Sequence, residues 1–261
     1  MVRNIICIAC FSFLLLTASF STVGVKQYRV QKIVIDAGHG GKDPGTHGVF
    51  SEEKDVALNV AKKLGETLTK YLDDVEVIYT RSNDNFIPLE QRADIANENG
   101  ADLFISIHAN ALPGSSATYG TETYVMGMHK RDDNLNVARR ENSVITMEDN
   151  FEERYAGYDP NAPESHILFA LYQNAYLGNS LVLADKIESQ FKNRVGRRSR
   201  GVKQAGFLVL WRTSMPSVLV ELGFLTNTKE EKYLNDELGQ TYIASGIFRA
   251  VRDYKNEIET Y

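Results

Sequence analysis

Three residues suited to metal or proton chemistry stand at or just beyond the carboxyl ends of short apolar runs. Ile33-Val34-Ile35-Asp36 leads into Ala37-Gly38-His39-Gly40-Gly41, Leu103-Phe104-Ile105-Ser106-Ile107 leads into His108-Ala109-Asn110, and Val218-Leu219-Val220 ends on Glu221. Such runs read as buried β-strands, and in an open α/β sheet ligands bind at the carboxyl edge. A catalytic zinc typically takes three His or carboxylate ligands and keeps one position for water, while a nearby carboxylate moves protons. The glycines flanking His39 let backbone crowd a ligand. A carboxylate ending an apolar strand, as Glu221 does, is costly to bury unless paired or bound to a metal. The plainer readings are a hydrogen-bonded structural histidine and a glutamate that meets an arginine. No compact H-E-x-x-H pair is present, so placement at strand ends carries the argument. Of the other histidines, only His47, in the same loop as His39, competes; His129 and His166 read as solvated.

The elements that must position these groups alternate. After the first strand comes a Gly-rich loop over 39–48, and Ser51 can cap the following helix, with Glu52 and Glu53 in its first turn. Val56, Val60, Leu64 and Leu68 recur every four residues and mark one buried face. Residues 75–79 form a second strand. Pro88 opens a second helix, with Leu89, Ala93 and Ala96 on its apolar side and Asn99-Gly100 at its end. The strand to His108 completes β-α-β-α-β, which predicts a mostly parallel, twisted sheet flanked by helices. Residues 121–126 read as a strand, 129–178 as a polar, charged, helical insertion too long for a plain connection, and Leu183, Ile187 and Phe191 as one helix face. Two more strands are expected at 207–210 and 218–221, then two closing helices from about Lys229. The fold class expected is α/β in a single domain over 30–258.

The chain has 261 residues, 43% hydrophobic and 24% charged, with a net charge of −5. That balance is ordinary for a globular domain, and the charge argues against general nucleic-acid binding. Arg3, the apolar stretch 5–16 and the small residues Thr17, Ala18, Ser19 and Ser21 predict a secretory signal over about residues 1–25, with cleavage between Ser19 and Val25, rather than a stable membrane span. Both cysteines, Cys7 and Cys10, lie inside it, which disfavours a lipoprotein and leaves the mature chain without disulfides.

Four segments together resemble the zinc-dependent N-acetylmuramoyl-L-alanine amidases of bacterial cell walls: 33–45 (IVIDAGHGGKDPG), 53–58 (EKDVAL), 104–111 (FISIHANA) and 218–227 (VLVELGFLTN). Carried over residue by residue, the resemblance implies that His39, Glu53 and His108 hold one Zn2+ and that Glu221 is the catalytic general base and acid. It selects Glu53 over Glu52, whose side chain points about 100° away on a helix. Asn110 is implied, more weakly, to hold substrate or a ligand. The implied substrate is peptidoglycan, cut at the amide between N-acetylmuramic acid and L-alanine in wall remodelling and daughter-cell separation, with the enzyme exported to the periplasm or wall.

One branch of that family carries a helix in the insertion whose glutamate fills the open zinc position until an activator protein moves it. Glu141, in Arg139-Arg140-Glu141-Asn142, matches best, with Glu148 and Glu153 as alternatives; the plainer reading is a solvated charged helix. The basic stretch Arg194, Arg197, Arg198, Arg200 and Lys203 could meet stem-peptide carboxylates or be a solvated loop. Two rival functions stand beside the amidase: a zinc carboxypeptidase of similar architecture, and a catalytically silent wall-binding regulator.

Overall fold

A computed structural model describes residues 28–128, 132–155, 158–159, 162 and 175–260. The expected signal segment, His129 and His166 lie outside the described residues. One six-stranded sheet organises the domain. Its strands are β1 (Lys32–Ala37), β2 (Glu76–Tyr79), β3 (Leu103–Asn110), β4 (Thr121–Met126), β5 (Ser199–Ala205) and β6 (Ser217–Phe224), in the spatial order β2-β1-β3-β6-β4-β5. Every pairing is parallel except β4 with β6.

The two-residue period of the strands sorts side chains between two layers. Ile33, Ile35, Leu103, Ile105, Ile107, Val218 and Val220 face α1 (Glu53–Tyr71) and the long helices late in the chain. On α1, Val56, Val60, Leu64 and Leu68 are fully buried against that layer, each contributing about 1.5–3 kcal/mol. The opposite face starts apolar, with Val34, Phe104, Leu219 and Tyr124 packing beside Leu89 and Ala96 of α2 (Leu89–Glu98). Toward the carboxyl edge that same face turns polar, because the alternation next presents Asp36, Ser106, His108 and Glu221.

The insertion folds over this polar end. It contains α3 (Asp132–Asn142), a 3-10 turn (Ser143–Met147) and α4 (Phe151–Arg154). Asn142 ties it down, donating from Nδ2 to the Gly206 carbonyl (2.8 Å) and accepting from the Leu208 amide (2.9 Å). The chain then forms α5 (Leu177–Gln190), α6 (Leu208–Trp211), α7 (Thr228–Asn235) and α8 (Glu237–Glu259). Leu183, Ile187 and Phe191 are buried on the spacing expected of them.

Three local expectations are corrected. The apolar run at 207–210 is not a strand: residues Leu208–Trp211 form the short helix α6. Four buried apolar residues carry no period that separates the two states. The strand of this region is instead β5, the sequence SRGVKQA, whose polar character suits an edge strand paired on one side. Arg200 and Lys203 therefore belong to a strand rather than a loop. Ser51 does not cap α1; Glu52 holds the cap position without a side-chain cap bond, and Ser51 Oγ donates to Glu231 Oε1 (2.9 Å).

Candidate metal centre and active site

His39 and His108 meet at the carboxyl edge with ring centroids 4.8 Å apart. His39 adopts a left-handed backbone, φ 60°, which aims its ring across the end of β3. Two glycines make that approach possible. A Cβ on Gly38 would lie 2.5 Å from the His108 ring, and one on Gly45 would lie 2.6 Å from the His39 ring and 2.8 Å from Glu53 Oε2. Glu53, at the start of α1, is buried beside both rings. Its Oε2 accepts from the Thr46 amide (2.8 Å) and its Oε1 from the Ala109 amide (2.9 Å).

Glu141 of α3 completes a group of four buried residues whose nearest donor atoms all lie within 4.8 Å of one another. His39 Nε2 is 3.0 Å from Glu53 Oε1 and 3.3 Å from Glu141 Oε2, and His108 Nδ1 is 3.1 Å and 3.2 Å from the same two oxygens. Donor atoms set tetrahedrally about 2.0 Å from a common centre are about 3.3 Å apart, so this spacing fits four ligands of one cation. His39 Nε2 and Glu141 Oε2 are buried without a hydrogen-bond partner among the described residues, as expected of atoms kept for a cation. His39 Nδ1–H donates to Asp43 Oδ2 (2.7 Å), which leaves Nε2 free to coordinate; a carboxylate behind a ligand histidine is the usual support of such a centre. The cluster could hold a metal ion.

Its electrostatics favour positive charge. Burial works against ionised Glu53, yet the His39 charge and the hydrogen bonds from His108 and His39 together hold its carboxyl down at about 2. Burial likewise opposes ionised Glu141, and its contacts with His108 and His39 outweigh this and keep it well below the usual range. Glu221 goes the other way. It is fully buried, neither carboxylate oxygen has a hydrogen-bond partner among the described residues, and burial followed by the Glu141 and Glu53 charges pushes it well above the usual range. Sheet register places Glu221 directly beside His108, and a bulge follows at once: His108 pairs with Glu221 but Asn110 pairs with Phe224. One extra residue in β6 bends the strand at this point, as bulges do beside functional sites.

Residues 33–253 match the N-acetylmuramoyl-L-alanine amidase family. The chain belongs to this family. It is similar to the N-acetylmuramoyl-L-alanine amidase AmiA of Escherichia coli (strain K12), with 36% identity over 226 residues that span 85% of this chain and 75% of the relative. Among solved structures, the N-acetylmuramoyl-L-alanine amidase from Clostridium difficile 630 is 30% identical with a TM-score of 0.65, covering 88% of this chain and 98% of that one. The CwlD amidase from Clostridioides difficile, in complex with the GerS lipoprotein, is 26% identical with a TM-score of 0.64, covering 87% and 99%.

Within the amidase domain, the expected residues separate cleanly. His39, Glu53, His108 and Glu141 converge, with Glu221 alongside. His47 does not join them; it is exposed and pairs with Glu52 (3.6 Å). Glu148 is buried elsewhere, accepting from the Leu89 amide (3.0 Å) at the start of α2, and Glu153 is exposed on α4. Asn110 sits at the rim, with its Oδ1 accepting from Arg140 Nη2 (2.9 Å) and its Nδ2 donating to Glu122 Oε2 (3.1 Å).

Two supports escaped the sequence reading. Arg92 of α2, fully buried, donates to Asp36 Oδ1, the Ala37 carbonyl and the His39 carbonyl, each at 2.8 Å. Arg81 donates to the Ala37 carbonyl (2.9 Å) and the Gly38 carbonyl (2.6 Å). Two guanidinium groups thus hold three consecutive carbonyls leading into the strained His39. The one clue was an arginine next to Ala93 on the apolar side of α2.

Proposed function

We propose that this protein is an exported zinc N-acetylmuramoyl-L-alanine amidase, cutting the amide between N-acetylmuramic acid and the L-alanine of the stem peptide. The observation that carries the reading is the spacing of His39, Glu53 and His108 with the unpartnered Glu221 carboxylate beside them. A zinc ion held by the first three would supply Lewis acidity, polarising the scissile carbonyl and lowering the pKa of water to about 7. Asp43 keeps His39 in the tautomer that presents Nε2. Glu221 takes the proton of the attacking water and delivers it to the amine nitrogen as the C–N bond breaks. Its raised proton affinity and unpartnered oxygens suit a group that must both accept and release that proton. Export follows from the signal pattern of the first 25 residues, and action in the periplasm or wall from the substrate.

Glu141 is the autoinhibitory ligand in this reading, filling the position that water and substrate need. Its helix is also fastened at the next side chain: Arg140 reaches the Ala111 carbonyl (3.0 Å), Asn110 Oδ1 (2.9 Å) and Glu141 itself (3.1 Å). An activator protein would draw α3 away. The structure of a related amidase in complex with a lipoprotein supports a protein partner of this kind.

Purified full-length protein should contain close to one zinc per chain by elemental analysis. Digestion of sacculi by the Glu141→Ala variant, in which the plug is gone, followed by mass spectrometry, should release intact stem peptides rather than free amino acids. Glu141→Ala should raise basal activity and Glu221→Gln should abolish it. Free amino acids as the product would establish the carboxypeptidase instead, and an unchanged rate in Glu141→Ala would remove the plug.

A further inference from the structure

A cavity of 540 Å³ lies beside the candidate centre, lined among others by Asn110, Arg140, Arg200, Lys203 and Phe224. That volume falls within the roughly 300–1,000 Å³ of small-ligand sites. A smaller cleft of 190 Å³ against His39 and Glu53 shares Arg140 of α3 with this cavity.

The cavity is organised around a buried carboxylate that receives more positive charge than it needs. Arg200 Nε and Lys203 Nζ both reach Glu122 Oε1 at 2.6 Å, while Tyr124 OH (2.7 Å) and Asn110 Nδ2 (3.1 Å) donate to Oε2. Burial alone would favour neutral Glu122, but the Lys203 charge and the hydrogen bonds from Lys203, Arg200 and Tyr124 together keep the carboxyl below its ordinary range. Two cations on one carboxylate leave these three groups at +1, and the other charged residues lining the cavity, Arg140 and Asp133, are one of each sign. Among the described residues each cation spends one donor on Glu122, and their side chains remain 30% and 18% exposed. Arg200 also lies over the Phe224 ring, 5.2 Å from its centroid. A guanidinium has five donors and an ammonium three, so both retain N–H groups for a ligand.

Register sets the distance to the chemistry. Glu122 pairs with Glu221 across β4 and β6, and Glu221 pairs with His108 across β6 and β3. Two strand spacings of about 4.8 Å put the Glu122 position about 10 Å from that of His108. An extended peptide advances about 3.3 Å per residue, so this is the reach of the first residues beyond a bond cut at the histidines.

We propose that Arg200 and Lys203 form an anion subsite for the free carboxylate of the stem-peptide residue following L-alanine, so that the peptide lies in this cavity. The proposal rests on the amidase reading and names the part of the substrate that the cavity selects. A carboxylate there accepts the spare N–H groups of the two cations and neutralises the excess charge. An uncharged amide at the same position can accept through its carbonyl oxygen but leaves the excess charge in place.

The test is calorimetric binding of a released stem peptide, L-alanyl-γ-D-glutamyl-L-lysine amide, to the full-length protein, set against the same peptide with the glutamyl carboxylate converted to an amide. Neither contains the scissile bond, so the measurement needs no turnover. The carboxylate form should bind on the order of tenfold more tightly, the scale of one charge-assisted hydrogen bond. Lys203→Met and Arg200→Met should each bring the ratio close to one, chiefly by weakening the carboxylate form, and Lys203→Arg should retain the preference. Melting temperatures within a few degrees of the parent show that a variant still folds; if the methionine variants do not, Lys203→Gln and Arg200→Gln take their place. No binding of the carboxylate form at millimolar concentration, or an equal ratio in the parent protein, overturns the subsite. Failure of the amidase reading looks different, namely sacculi that yield no stem peptide even with Glu141→Ala while the charge preference persists.

Discussion

Replacing Arg92 with methionine should be among the most damaging single changes outside the candidate centre. The guanidinium makes four contacts from a nearly inaccessible position: Asp36 Oδ1, Ala37 and His39 carbonyls at 2.8 Å, and the Ile87 carbonyl at 2.9 Å. Methionine fills similar space and supplies no donor. Asp36 keeps its bonds from Thr80 Oγ1 (2.7 Å) and Ser106 Oγ (2.6 Å) but loses its only ion pair among the described residues. Breaking a buried pair from one side costs about 3–5 kcal/mol, a large share of the roughly 5–15 kcal/mol that holds a domain folded. The urea midpoint should fall accordingly. Adding Asp36→Asn to Arg92→Met should restore part of the loss, because the stranded charge is gone. The pH dependence has a definite sign. Burial raises the Asp36 carboxyl, and the Arg92 charge together with the Ser106 and Thr80 hydroxyl donors more than offsets it, so the folded pKa lies below the ordinary value of about 3.9. The stability this contributes is present above about pH 3.9 and is lost as pH falls through the folded value. The gap between parent and variant should therefore be widest at neutral pH and narrow in acid. Zinc affinity, measured against a chromophoric chelator, should fall too, since the His39 carbonyl loses a donor. A loss under about 1 kcal/mol, or a double variant no more stable than the single, would refute this account of the loop.

Gly38→Ala should weaken metal binding and activity together, because its Cβ would press on the His108 ring at 2.5 Å; normal zinc affinity in that variant would show the ring free to give way. Glu188, buried on α5 among Thr121, Thr123 and Ser199, has its carboxyl raised by burial despite the hydroxyl donors. A raised carboxyl adds stability below its unfolded pKa and loses it as pH rises through the folded value. Glu188→Gln should then be more stable than the parent at pH 7 and match it near pH 4, as read from urea midpoints; parallel pH profiles would count against it. Removing metal with a chelator should lower the melting temperature and zinc should restore it, by about 4 kcal/mol when free zinc is a thousandfold above Kd. Identical melts with and without zinc would contradict the metal centre.

Much of the scaffold was legible because its signals are local. Apolar runs of four or five residues mark β1, β3 and β6, and a four-residue recurrence marks the buried side of α1. The strand-end rule then places His39, His108 and Glu221 on one edge, and the family resemblance adds Glu53. Where local signals run out, the reading failed. Edge strand β5 is nearly polar because its sequence answers to Glu122 and solvent rather than to the core, and the apolar run beside it coils into α6. The charged insertion looked like a surface, yet Glu141 and Glu148 are buried and serve different places.

By itself the sequence determined the order of elements from β1 to β4, the alternation that sorts their side chains and the edge at which the reactive groups emerge, since each depends on residues only a few positions apart. Tertiary structure decided which side chains share a point in space. Only packing brings Arg92 under the His39 loop, sets Glu141 opposite Glu53, and lines up Glu122, Glu221 and His108 across three strands. Those contacts join elements far apart in the chain, and hydrogen-bond register and helix docking fix them to within an ångström, which no spacing along a single strand can encode.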